Sequence, residues 1–133
     1  MSTTAQYAST PKVGAALLTT ADTSLTAPTT VGTVVTAGTS GTRIDFIEVI
    51  GVDTTVSSLV NLFIYDGTTY HLWKQIPVQA VTVSTTSPSF ASALSSSTFP
   101  IELPLVLPTG HSLRATTTVT QTGVKVIATG GDF

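Results

Sequence analysis

Cysteine is absent from this chain of 133 residues, charged side chains make up 9% of it, and histidine occurs twice. The first absence excludes a disulfide scaffold, a thiolate zinc site and a cysteine nucleophile. The scarcity of charge is equally restrictive. Five Lys and Arg (Lys12, Arg43, Lys74, Arg114 and Lys125) fall one per segment. Scattered in that way they build no basic face of the kind that displaces counterions from phosphates, so nucleic acid is not expected as a partner. His71 and His111 are far apart in the chain and offer no closely spaced ligand pair, so neither a metal nor any other cofactor is expected. No apolar run reaches the roughly 18 residues of a membrane span, and the N-terminus lacks the basic and apolar regions of a secretory signal. The expectation is a soluble chain made in a cytoplasm, with no membrane partner.

Chemistry is equally sparse. No Gly-x-Ser-x-Gly elbow is present, and the acids Asp45, Glu48, Asp53, Asp66 and Glu102 are dispersed. Asp45 and Glu48 stand three apart on one extended segment, which points them to opposite faces. An enzyme is therefore not expected. Leu107-Pro108-Thr109-Gly110 and Gly130-Gly131-Asp132-Phe133 are read as turns rather than as sorting or catalytic signatures.

About a third of the residues are Ser and Thr, yet mean hydropathy is positive. A disordered Ser/Thr-rich chain should be low in hydrophobicity. Here short bursts of Val, Ile, Leu and Phe alternate with Thr, Ser, Gly and Pro. That is the pattern of many short strands joined by tight turns, and the length suits one domain with a proper core. The expected fold is all-β: a single antiparallel β-sandwich or jelly-roll of about eight strands. Residues 1–12 are polar without a strand-like period and read as an extended N-terminal arm, leaving residues 13–133 as the sandwich. A surface this poor in charge is also a poor recipe for a free monomer.

The bursts place strands at Val13–Thr20, Thr33–Ala37, Arg43–Val52, Leu59–Tyr65, Tyr70–Val83, Phe99–Pro108, His111–Val119 and Val124–Ala128. Asp66-Gly67 is a hairpin signal, and Pro77 marks an edge, a bulge or a break. In Phe99–Pro108, Leu105 and Leu107 face inward while Val106 and the prolines face outward, as on an edge strand. Alternation fails within Arg43–Val52, because Ile44, Phe46 and Ile50 fall on one side and Ile47 and Val49 on the other. Leu59–Tyr65 behaves likewise. Apolar residues on both faces mean a strand covered twice, a bulge, or a contact between protomers. Ile47, Val49 and Leu62 are accordingly candidates for protomer contacts, and Gln6, Tyr7 and Lys12 for contacts made by the arm. Tyr65, Tyr70 and Trp73 flank the hairpin. They read as cross-strand packing, with a sugar-stacking surface as the alternative.

Four stretches carry a family resemblance: residues 39–52, residues 60–70 across the Asp66-Gly67 turn, residues 105–115 across Pro108-Thr109-Gly110, and the ending residues 126–133. Together they are similar to small structural proteins of tailed bacteriophages, particularly capsid decoration (cement) proteins. The resemblance implies a virion protein on the outer capsid surface, with the major capsid protein as partner. It also implies self-association as homotrimers, and an arm reaching along the shell. The alternative within the same resemblance is a tail, baseplate or fibre-associated protein; from another class, a carbohydrate-binding module.

Overall fold

The computed structural model describes residues 8–89 and 104–133. Eight strands follow one another: β1 (Thr10–Leu18), β2 (Gly32–Thr36), β3 (Thr42–Gly51), β4 (Ser58–Tyr65), β5 (Tyr70–Val78), β6 (Leu105–Leu107), β7 (Ser112–Thr117) and β8 (Val124–Asp132). They form two four-stranded sheets, ordered β1-β8-β3-β6 and β2-β7-β4-β5. β4 pairs with β5, β3 with β6, β2 with β7 and β1 with β8, all antiparallel. The chain is thus one long hairpin, centred on the Asp66-Gly67 turn and rolled so that successive pairs alternate between sheets. That connectivity is a jelly roll. Each of the eight expected strands has a counterpart; β5 ends at Val78 rather than Val83, β6 covers Leu105–Leu107, and residues 99–103 of the expected sixth strand lie outside the described residues.

The core lies between the sheets. Ile44, Ile47, Val49, Val124, Val126 and Ala128 of the first sheet meet Val60, Leu62, Ile76, Leu113 and Ala115 of the second, all buried. Their spacing follows the two-residue period of a pleated strand, except where bulges interrupt it. In β3 the pairing with β8 shifts register between Ile44 and Phe46. The extra residue puts Ile44, Ile47 and Val49 all inward and turns Phe46 out. Gly130 stands opposite this bulge, where an added Cβ would run into the Arg43 carbonyl.

β4 has the same mixed sequence for a different reason. It lies between β7 and β5, and it is buried on both sides. Val60 and Leu62 join the core, while Asn61 and Phe63 are fully buried outside the core cluster. β5 is the edge of its sheet, bulged at Trp73, where the partner of β4 steps from Lys74 to Leu72.

Two sequence expectations need correction. The first strand begins at Thr10 rather than Val13, so Thr10–Lys12 pair with β8 and belong to the sandwich. Gly130-Gly131-Asp132 is not a turn but the end of β8. The reason is one knot of polar contacts. Lys12 Nζ donates to both Asp132 carboxylate oxygens (3.1 and 3.3 Å) and to the Thr36 carbonyl (2.6 Å), and Thr42 Oγ1 donates to Asp132. Asp132 therefore ties β8 to β1 and β3, and Lys12 carries the tie across to β2. Nearby, Gly14 lets β1 approach β2 at the corner between sheets, since a Cβ there would collide with the Val34 carbonyl and the Val35 side chain.

Candidate interaction surface

Among the described residues, the outward face of the first sheet carries the largest set of apolar side chains in contact with water. Pairing registers arrange it in rows. Val13, Thr129 and Phe46 form one row; Ala15, Ile127 and Glu48 the next; Leu17, Lys125 and Ile50 the third. Val13 is 71% exposed and Phe46 50%. Leu17 and Val52 are also exposed and close over the glycine between them. A Cβ built on Gly123 would lie 2.9 Å from the Leu17 side chain and 3.8 Å from that of Val52. Val106, opposite Arg43 on β6, extends the face to the sheet edge. The charges here divide into two groups, and the β3 bulge brings Asp45 and Glu48, expected on opposite faces, onto this one. Arg43 Nε and Asp45 Oδ1 pair with each other at 2.7 Å. Glu48 and Lys125 have no hydrogen-bond or ion-pair partner among the described residues.

The outward face of the second sheet is built differently. Tyr65 and Tyr70 stack with ring centroids 4.3 Å apart, and Tyr70 meets the Phe63 ring edge-on at 5.9 Å. The Arg114 guanidinium lies 4.2 Å from the Tyr65 centroid and donates to the Tyr70 hydroxyl at 3.0 Å. Gln75 Nε2 donates to Asn61 Oδ1 at 2.9 Å. The rings and polar groups of this face satisfy one another, apart from Asn61 Nδ2 and Thr116 Oγ1, which are buried without a partner. Trp73 packs against the core instead. The three hairpin aromatics therefore form no common platform: two are stacked outside the sheet and one points between the sheets.

The residues expected to contact other protomers are placed as follows. Ile47, Val49 and Leu62 are fully buried inside a single copy, so that expectation is corrected. The β3 bulge brings Ile47 and Val49 onto the same side as Ile44, and central placement in the sheet explains Leu62. Lys12 is committed to Asp132 and Thr36 within its own chain. Gln6 and Tyr7 lie outside the described residues. The sequence reading missed Phe46, Glu48 and Lys125 as surface candidates. Their signal was present in the two-residue period but needed the bulge position to be read. Val106 was expected outward and is.

Three carboxylates titrate below their ordinary range, each for a local reason. The Thr42 hydroxyl and then the Lys12 ammonium hold Asp132 down. The Thr30 N–H, followed by those of Thr29 and Ser24, does the same to Asp22. Asp66 is lowered by the Thr69 N–H, by His71, whose Nε2 lies 3.0 Å away, and by Thr68. All three fasten turns or strand ends, and His71 completes the hairpin turn. A cleft of about 100 Å³ lined by Leu17–Thr20 and Thr30–Gly32 has room for a few waters. Among the described residues, no group of three or more His, Asp or Glu converges as a metal site, and no helix is long and apolar enough to cross a membrane.

No family model, no curated protein and no solved structure matches the chain.

Proposed function

We propose that this protein is a virion structural protein, a capsid decoration or cement protein that binds the outer shell and steadies the contacts between major capsid subunits. The observation that carries the reading is the outward face of the first sheet. There Val13, Leu17, Phe46, Val52 and Val106 stand in water around only a few charges. Exposed apolar side chains gathered on one face in this way favour a protein contact. Each Å² of apolar surface that a partner covers contributes about 25 cal/mol before the cost of association is subtracted. On a closed shell many copies act together, so the contact of each need not be strong.

Two further features support the reading. Jelly rolls recur in viral shell proteins, although lectins and cupins share the fold, so function must rest on the surface and not on the fold. The stretches that resemble decoration proteins fall on β3, the β4–β5 hairpin, the β6–β7 hairpin and β8, which are the parts that build both sheets. The carbohydrate reading draws no such support, because Tyr65, Tyr70 and Arg114 are engaged with one another and Trp73 with the core.

The test is to mix the purified protein with undecorated, expanded tailed-phage shells built of the major capsid protein. Saturable binding, with shells that withstand higher temperature, is the expected result. Shells that bind none of it overturn the proposal. Removing residues 1–7 sharpens the test, since the arm is the second contact of this reading: the shortened protein should stay folded and lose most of its shell binding.

A further inference from the structure

We propose that the outward face of the first sheet is covered by the same face of a second copy of this chain, locked by two reciprocal Glu48–Lys125 ion pairs. The inference shares with the reading above only the treatment of this face as a protein contact; a face closed by a second copy leaves shell binding to the other surfaces of the dimer.

Its basis is the placement of two charges. Glu48 lies on β3 opposite Ile127, and Lys125 lies two residues along the neighbouring β8, opposite Ile50 and Leu17. Diagonal neighbours at this offset are about 7–8 Å apart, and no ion pair joins them within the chain. Around them stand Ala15, Leu17, Phe46, Ile50 and Ile127. Covering this face with a purely apolar partner would strip water from both charges and supply neither with a new partner, which is costly. A second copy removes that cost. A two-fold axis lying in the interface and passing between the two residues carries each Glu48 onto the partner's Lys125 and each Lys125 onto the partner's Glu48. The apolar rows then meet apolar rows. Arg43 and Asp45, already paired with each other, remain at the rim. A surface that is complementary to itself closes at two copies. The face therefore builds a dimer, where the resemblance implies a trimer.

The test is the solution mass of the full chain across a concentration series, for the natural sequence, E48K, K125E and the double exchange E48K/K125E. Like charges meet twice in each single exchange, so its dimer should dissociate at least about tenfold more readily. The double exchange restores both pairs in reverse and should recover the natural affinity. Thermal unfolding at a dilution where all four are monomeric should be alike, since both residues sit on the surface. A natural chain that stays monomeric, a trimeric mass, or a dimer indifferent to the single exchanges overturns the proposal. Shell binding measured in parallel separates the two readings. A dimer that obeys the charge exchanges yet ignores shells upholds the pairing and overturns the shell role. A monomer that binds shells overturns the pairing alone.

Discussion

On the second sheet, the aromatic side chains that point away from the core are used up by one another, while Leu59 and Leu72 stay partly exposed. Tyr65 stacks on Tyr70, Arg114 spans both rings, and Phe63 is buried beneath them. On the first sheet, Phe46, Val13 and Leu17 point the same way relative to their own core and stay in water. Both sheets have four antiparallel strands and both supply the core, so the difference lies in their outer faces. One outer face is largely finished within the chain and the other much less so, which is why a partner is proposed for the latter.

Two adjacent residues of β3 should differ most. Ile47→Ala opens a cavity in the core and should cost about 2–5 kcal/mol of stability. Phe46→Ser, one residue earlier, should change the stability of the monomer by no more than about 0.5 kcal/mol, while weakening self-association. Chemical denaturation of both variants checks the contrast; similar losses for the two would place Phe46 in the core and refute the bulge. Next in size is the corner where the sheets meet. Gly14→Val should cost about 1–3 kcal/mol, because β1 must move away from Val34 and Val35.

On the finished face, Arg114→Met keeps the volume of the side chain but loses the charge over Tyr65 and the bond to Tyr70. The expected loss is about 1–2 kcal/mol, read as a lower melting temperature with self-association unchanged. A drop in self-association instead would show that this face, too, is used.

Acid should act on the sandwich itself. Asp22, Asp66 and Asp132 all have folded-state values below the ordinary carboxylate range. Their stabilisation is fully present above the unfolded value and is lost as pH falls through the lowered ones. Melting temperature should be flat near neutrality and decline below about pH 4, and Asp132→Asn should flatten part of that decline. The smallest effect belongs to Thr116→Val. It removes a buried hydroxyl without a partner and should be neutral or stabilising by up to about 1 kcal/mol.

Strand count, the central hairpin and the β6 edge could be read from the sequence because two-residue alternation and turn chemistry are local. The identity of the contact residues could not. Arg43–Val52 and Leu59–Tyr65 show the same run of apolar residues on both faces, yet a bulge explains the first and burial on two sides explains the second. A bulge moves every later side chain to the other face, so Phe46 and Ile47 exchange roles with no change in composition. Lys12 misled for a related reason: its partner Asp132 is brought alongside only when β1 pairs with β8. Val106 was read correctly because its strand is regular, with Leu107 buried beside it.

The most direct test of the central claim is the solution mass of the natural chain beside that of Phe46→Ser, both checked for an intact fold by circular dichroism. The expected result is a natural chain that associates with rising concentration and a folded variant that remains monomeric. Two proteins of identical mass at every concentration would contradict it.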